Sequence, residues 1–274
     1  MNIMYIYIPL IRRDKVEENK IVEIKDLSIS YHTEKEEIKA LKDINIDIYP
    51  NEIIGLVGPS GCGKSTLLSI IAGLLKPSSG EVKVNGKLVK EPLKNIGYMF
   101  QKDQLFQWRS ILSNVCIGLE VQNKLNSETK EKARRMLEAY GLDEFAHNYP
   151  HELSGGMRQR AALIRTLLLE PDLLLLDEPF SALDYQTRLL ISDEIGIILK
   201  KEKKTAIMVT HDIGEAISLS DRVVILSKRP GTIKKIIDIK LNYSGEKTPM
   251  KARETPEFRY YFNKIWKELD VHVE

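Results

Sequence analysis

The feature that most constrains this chain is a glycine-rich octapeptide, residues 58–65, set between a short apolar run and a helical pattern. The run at residues 53–57 predicts a buried strand, and the apolar spacing of residues 64–75 predicts a helix. In such a unit the loop N–H groups converge on one point, beside the positive end of the helix dipole. The octapeptide therefore predicts a phosphate-binding loop, formed by Gly58, Pro59, Ser60, Gly61, Cys62, Gly63, Lys64 and Ser65, with Thr66 directly after it.

The side chains of this loop suit a nucleoside triphosphate. We expect the ammonium group of Lys64 to reach the β- and γ-phosphates, and the hydroxyl of Ser65 to bind Mg²⁺. Cys62 needs no catalytic role, because its place in the loop contributes a backbone amide. The loop thus predicts a protein that binds ATP or a related nucleotide together with Mg²⁺.

A second apolar run, residues 173–176, ends in two acidic residues and a proline. Its four consecutive leucines predict a buried strand, and α/β sheets bind their ligands at the carboxyl ends of such strands. We expect Asp177 to hold Mg²⁺, and Glu178, which faces the other way, to polarise the attacking water. Alone, such a pair would more often be a solvated turn. Together with the phosphate-binding loop, it predicts a nucleotide hydrolase.

Strand and helix patterns alternate along most of the chain. Residues 22–31 and 41–48 alternate as strands do, with a charged hairpin loop between them at residues 32–39. Further strands are predicted at residues 205–210 and 222–226, and this order implies a mostly parallel, covered sheet. Helical patterns occupy residues 127–140 and 156–170, and the first belongs to a smaller helical subdomain.

The expected organisation is one domain and a tail. The domain spans residues 20–240, with the helical subdomain inserted at about residues 103–157. The tail, residues 241–274, begins with a polar stretch and contains a short amphipathic helix at residues 258–269.

Composition narrows the possible partners. The 41 basic and 39 acidic residues leave a formal charge of +2, which gives no electrostatic reason to expect nucleic acid. Two cysteines cannot form a disulfide framework, and they fit a reducing compartment.

No segment reaches the roughly 20 apolar residues of a membrane span. The nearest, residues 1–11, is expected to be a frayed strand or leader residues rather than an anchor, so any role at a membrane needs another chain.

A third element is Ser154, Gly155 and Gly156, at the start of the predicted helix. A serine and two glycines there offer a hydroxyl and free N–H groups to an anion. In isolation this sequence is simply a helix cap with a glycine turn. The chain already has one phosphate-binding loop, so a second possible anion site requires an explanation other than a simple helix cap.

With these three elements the chain resembles the ATPases of ATP-binding-cassette (ABC) transporters over nearly its whole length. Residues 153–159 look like the family signature, with Met157 where many members have glutamine. The resemblance implies four more site residues: Gln101 on Mg²⁺ and water, Asp184 in the segment 181–184 that communicates across a dimer, His211 on the γ-phosphate, and Tyr31 stacked on adenine. For Tyr31, simple packing at a strand end is the alternative.

The resemblance also implies the fold, the assembly and the location. The fold would be a RecA-like P-loop core with a mostly parallel sheet, an N-terminal antiparallel β part and the helical insertion. Two ATP-binding subunits, most simply identical, would enclose ATP and Mg²⁺ between the phosphate-binding loop of one and Ser154 of the other. The pair would lie at the cytoplasmic face of the membrane beneath permease subunits, which receive solute from an extracytoplasmic binding protein.

Residues 104–115, followed by residues 118–120, resemble the nitrate/sulfonate/taurine importers, and so do residues 227–233. Thiamine-precursor importers share these features. The region of Trp108 and Arg109 would contact the permease, or be a loop with one buried tryptophan.

Two other classes of protein are alternatives to a transporter subunit. A cassette protein of DNA repair or translation usually carries a coiled-coil insertion or two cassettes, and a monomeric P-loop kinase would have no use for Ser154, Gly155 and Gly156.

Overall fold

The computed structural model describes residues 19–32, 36–181, 183–242 and 248–269. The predictions for residues 1–11 and for Ala182 lie outside these ranges. The described strands are β1 Val22–His32, β2 Glu37–Ile48, β3 Ile53–Val57, β4 Ser79–Val84, β5 Lys87–Leu88, β6 Ile96–Met99, β7 Leu173–Asp177, β8 Thr205–Val209, β9 Arg222–Leu226 and β10 Ile233–Asp238. The described helices are α1 Lys64–Ile71, α2 Ile111–Val121, α3 Ser127–Ala139, α4 Gly155–Leu167, α5 Tyr185–Lys201, α6 Ile213–Leu219, α7 Pro249–Glu254 and α8 Pro256–Glu268.

Six strands form the central sheet, in the order β10-β9-β3-β8-β7-β6. Every neighbouring pair from β9 to β6 is parallel, and only β10 pairs antiparallel. All residues of β3, β7 and β8 are buried, as parallel strands covered on both faces must be. The predicted parallel sheet is therefore confirmed. Strand β10, which was not predicted, follows β9 in the chain and forms one edge of the sheet.

The N-terminal strands form a second, antiparallel sheet in the order β2-β1-β4-β5. The predicted antiparallel part is thus confirmed, and β4 and β5 enlarge it. The predicted loop between its first strands is shorter than residues 32–39, because β1 extends to His32 and β2 begins at Glu37.

The two faces of the central sheet belong to different hydrophobic cores. Strand β7 shows the division, because side chains along a strand alternate between faces. Leu173 and Leu175 pack with the antiparallel sheet and α1. Leu174 and Leu176 pack with helices α2, α3 and α4. Helices α2, α3, α4 and α5 thus cover one face of the sheet, and the N-terminal sheet and α1 cover the other.

Helix α2 was not predicted from the sequence. It begins where the Ser110 side chain accepts a hydrogen bond from Ser113 N. The loop before it is held by Asn114, which is fully buried, accepts from Phe106 N at 2.7 Å and donates to the carbonyls of Phe106 and Arg109 at 3.0 Å. Trp108 on this loop is 74% exposed, so the alternative of a buried tryptophan is wrong.

Other differences lie at the ends of elements. Helix α1 stops at Ile71 rather than at residue 75, because Gly73 turns the chain with φ of 76°. The polar stretch after residue 241 contains α7, which starts with a Thr248 cap followed by Pro249. Helix α8 buries Ile265 against α6 and the β9 end of the central sheet. Among the described helices, none has the length and apolar character needed to cross a membrane.

Candidate functional site

The strand order brings the predicted site residues to one edge of the sheet. Strands β3, β8, β7 and β6 are neighbours in that order. The phosphate-binding loop follows β3, His211 follows β8, Asp177 and Glu178 lie at the end of β7, and Gln101 follows β6. Carboxyl ends of adjacent parallel strands share one edge, so residues up to 153 positions apart in sequence become neighbours.

A cleft of about 620 Å³ opens at this edge. Ten of the predicted site residues line it: Tyr31, Ser60, Gly61, Gly63, Lys64, Ser65, Thr66, Gln101, Glu178 and His211. Gly58, Pro59 and Cys62 belong to the same loop without lining the cleft, and Asp177 lies beneath Ser65. Ser154, Gly155, Gly156 and Asp184 are not among its lining residues.

The phosphate-binding loop is closely packed. Gly63 caps α1 with φ of 102°, and a Cβ at this position would lie 2.5 Å from Leu41 Cδ2, so only glycine fits. Lys64 Nζ donates to the carbonyls of Gly58 and Pro59 at 2.8 and 3.0 Å. Burial raises the pKa of the Cys62 thiol, which keeps it neutral and agrees with a structural role for that side chain.

Ser65 and Asp177 form a pair at the floor of the cleft. Ser65 Oγ donates to Asp177 Oδ1 at 3.0 Å. Asp177 is buried, and desolvation raises its pKa, because a buried carboxylate disfavours its charge. A hydroxyl and a carboxylate are the oxygen donors that Mg²⁺ takes, and a cation here would offset the desolvated charge. The described residues contain no cluster of three or more His, Cys, Asp or Glu that could hold a metal ion.

Glu178 is the meeting point of three predicted catalytic residues. Gln101 Nε2 donates to Glu178 Oε2 at 2.9 Å, and His211 Nδ1 lies 3.5 Å from the same oxygen. Glu178 itself has φ of 45°, a left-handed conformation that is rare outside glycine and asparagine. The role of Gln101 as a metal ligand stays a prediction, because its amide nitrogen is bound to Glu178 here.

Tyr31 stands at the rim of the cleft. Its ring is 41% exposed, and its hydroxyl lies 3.4 Å from Thr66 Oγ1, at the first turn of α1. An exposed ring beside the phosphate-binding loop is available to a base, although the stacking itself stays a prediction.

Ser154 and Asp184, which do not line the cleft, each cap the start of a helix. Ser154 is exposed and caps α4 by accepting from Met157 N, and Asp184 caps α5 by accepting from Thr187 N at 3.1 Å. Hydrogen bonds from Thr187 lower the pKa of Asp184. Gly156, by contrast, is buried, and a hypothetical Cβ there would lie 3.1 Å from Thr187 Cγ2.

Sequence reasoning missed three residues that line the cleft: Ile38, Ala40 and Arg229. Arg229 lies in the loop between β9 and β10, and β9 is the neighbour of β3 on the side away from β8. The sequence signal for Arg229 was a positively charged residue shortly after a strand of the predicted parallel sheet. That signal could not place Arg229 in the cleft, because the order of the strands in the sheet was not known.

Known proteins resemble the chain in sequence and in structure. Residues 41–181 match the ABC transporter family. The uncharacterised ABC transporter ATP-binding protein YtlC of Bacillus subtilis is 49% identical over 241 residues, which cover 88% of this chain and 92% of YtlC. The aliphatic sulfonates import ATP-binding protein SsuB of Bacillus cereus is 41% identical over 233 residues, 85% of this chain and 92% of SsuB. A dimeric structure of a post-hydrolysis state of the ATP-binding cassette MJ0796, bound to ADP and Pi, has a TM-score of 0.69 at 31% identity and covers 80% of this chain and 99% of that one.

Proposed function

Because the chain belongs to the ABC transporter family of ATP-binding proteins, we propose that it powers an importer of small sulfur- or nitrogen-containing solutes. It is an ATPase subunit that binds ATP and hydrolyses it to ADP and phosphate. The observation that carries the site assignment is the meeting of the phosphate-binding loop, Asp177, Glu178 and His211 at one sheet edge.

In the proposed reaction, the loop amides and Lys64 hold the phosphates, and Ser65 and Asp177 hold Mg²⁺. When bound, Mg²⁺ neutralises charge on the β- and γ-phosphates. Glu178 accepts a hydrogen bond from the attacking water and takes up its proton. Gln101 orients the Glu178 carboxylate through its 2.9 Å hydrogen bond, and His211, close to the same oxygen, donates toward the γ-phosphate.

The position of Ser154 supports a dimer. Its exposed hydroxyl caps α4 outside the cleft of its own chain, so it is free to meet ATP held by a second subunit. The MJ0796 cassette, similar in structure, was solved as a dimer with ADP and Pi. We take the second subunit to be a copy of this chain. ATP then lies between the two, and its hydrolysis releases them.

The loop before α2 is the proposed contact with the permease. Trp108 and Phe106, both exposed, lie with ring centroids 5.2 Å apart. Buried Asn114 fixes the loop backbone, and Arg109 binds Glu120 of α2 at 2.6 Å. Exposed aromatic rings on a rigid loop are typical of contact surfaces, because little conformational entropy is lost when they are covered. This surface would hold the chain at the cytoplasmic face of the membrane.

Trp108→Ala is expected to weaken assembly with the permease by about 10-fold or more, the effect of losing an aromatic anchor. Co-purification of the permease in detergent, or binding of the subunit to permease-containing vesicles, measures this. The matched control is Trp266→Ala, which removes the other tryptophan, half-exposed on α8. ATP hydrolysis by the subunit alone should be unchanged in both variants. Equal permease binding by Trp108→Ala and the unaltered chain would contradict the proposed contact.

The proposed solute class rests on similarity to SsuB, whose name specifies import of aliphatic sulfonates. Solute does not enter this subunit, so the test needs the complete transporter with its binding protein, reconstituted in lipid. Loaded binding protein can stimulate hydrolysis only by favouring one conformation of the complex. We expect stimulation with an alkanesulfonate, taurine, nitrate or a pyrimidine precursor of thiamine. Stimulation only by a sugar, peptide or metal chelate would contradict the solute class and leave the ATPase assignment intact.

The repair and translation alternative gains no support. Among the described residues the longest helix, α5, has 17 residues, so they contain no long coiled-coil insertion. A basic surface for nucleic acid is also not expected from a formal charge of +2.

A further inference from the structure

The loop between β9 and β10, residues 227–232, is closed by hydrogen bonds among its own residues. Its ends are closed by a backbone hydrogen bond from Ser227 N to Thr232 O at 2.9 Å. Ser227 Oγ also accepts from Thr232 N at 3.0 Å and lies 3.1 Å from the carbonyl oxygen of Pro230. These hydrogen bonds define the path of the backbone that carries Arg229.

The same loop packs closely against the phosphate-binding loop. A Cβ on Gly231 would lie 2.1 Å from the carbonyl oxygen of Cys62, so only glycine allows this approach. Gly231 also exchanges two backbone hydrogen bonds with β2, to Ala40 O and from Lys42 N, both at 2.9 Å. The loop is therefore anchored to both sheets directly beside the nucleotide cleft.

Arg229 projects from this loop into the site. Its Nε and Nη2 donate to the carbonyl oxygen of Gly61 at 3.2 and 3.0 Å, and the residue lines the cleft together with Lys64 and Ser65. Gly61 offers a neutral carbonyl, and within the described part of the chain no carboxylate lies within ion-pair distance of Arg229. The exposed guanidinium of Arg229 therefore brings a positive charge to the cleft without forming an ion pair there.

We propose that Arg229 binds the phosphate groups of the nucleotide directly, as a second cation beside Lys64. The guanidinium has five N–H donors in a planar fork, and two of them engage Gly61. The others remain for phosphate oxygens, which the fork matches well. Arg229 would thereby supply charge to bound ATP from a loop that is separate from the phosphate-binding loop, from Asp177 and Glu178, and from Ser154. The proposal rests on the assignment of this cleft to ATP.

The alternative is that Arg229 only braces the Gly61 carbonyl. Two substitutions distinguish the effect of the Arg229 charge from the effect of its hydrogen bonds to Gly61. Arg229→Lys keeps the charge without the fork, whereas Arg229→Gln keeps a hydrogen-bond donor without the charge. The matched control is Lys228→Gln, which removes one positive charge from an exposed neighbour that does not line the cleft. Thermal unfolding should be the same for all three variants.

Titration with a fluorescent ATP analogue, followed by competition with ATP, ADP and adenosine, provides the test. We expect Arg229→Gln to lower ATP affinity about 3- to 10-fold, the effect of one partly screened charge-assisted contact. Arg229→Lys keeps the charge but not the fork, so it should lose less affinity than Arg229→Gln, and Lys228→Gln should stay within about 2-fold. The loss in Arg229→Gln should shrink as salt is raised. Adenosine should bind the unaltered chain and Arg229→Gln equally, because it lacks phosphate.

Two results would overturn the proposal. If Arg229→Gln and Arg229→Lys have the same ATP affinity, the charge makes no contribution and only bracing remains. If Arg229→Gln loses adenosine as strongly as ATP, the contact is not to phosphate. Failure of the unaltered chain to bind ATP would instead contradict the assignment of the cleft itself, so the two failures are distinguishable.

Discussion

Glu178→Gln is expected to slow ATP hydrolysis by about 10²–10⁴-fold, the usual contribution of a general base, while ATP binding persists. Glutamine has the size of glutamate and can still meet Gln101 and His211, but it cannot take a proton from water. The substitution should leave the phosphate-binding loop unaltered, so ATP remains bound without being cleaved. Because ATP is proposed to join two subunits, the variant should accumulate as an ATP-bound dimer.

Steady-state phosphate release measures the first effect, and size-exclusion chromatography with ATP and Mg²⁺ measures the second. Glu138→Gln is the matched control, since Glu138 is an exposed carboxylate on α3, away from the cleft. It should hydrolyse ATP at the normal rate. Near-normal turnover by Glu178→Gln would show that another group activates the water.

Mixing two inactive variants should rebuild one working site. Lys64→Ala removes the cation that reaches the phosphates, and Ser154→Arg blocks the exposed end of α4. Because these residues lie on different surfaces of one chain, each defect spoils a different half of a shared site. A heterodimer then has one site with both defects and one site with none. Each variant alone has no intact site.

Differently tagged variants, mixed with ATP and Mg²⁺, allow the heterodimer to be isolated and its hydrolysis measured. Activity should recover to a large fraction of one normal site, against near-background activity for each variant alone at the same total concentration. A chain carrying both substitutions is the control, and it should not recover. Equal inactivity of the mixture and the separate variants would contradict the shared site.

Most of the residues singled out in the sequence lie together in the cleft, because the strongest local patterns of the sequence fall there. Four consecutive leucines identify β7, and the glycine-rich octapeptide fixes the turn from β3 to α1. The resemblance to ABC-transporter ATPases is confirmed by relatives up to 49% identical among those compared. These elements hold local signals that tertiary structure strengthens rather than overrides.

The missed elements carry weak or mixed signals. Strand β6 has only four residues, and β10 alternates irregularly because it is a partly exposed edge strand. Helix α2 contains serine, asparagine and glycine, which are poor helix formers, and packing against α4 compensates for them. The place of Arg229 in the cleft depends on β9 lying beside β3, a fact that no local pattern contains.

The left-handed backbone of Glu178 has a consequence for the divergence of related genes. A non-glycine residue in this conformation costs about 1–2 kcal/mol, so glutamate is a poor choice for stability alone. Under the proposed role of Glu178, selection for hydrolysis maintains glutamate against substitutions such as glycine or asparagine, which relieve the strain. In a duplicated copy that had lost its ATPase role, position 178 would drift early toward those residues. On this proposal, the identity of residue 178 distinguishes working copies from degenerate ones more sharply than Gly63 does, because close packing against Leu41 preserves that glycine in either case.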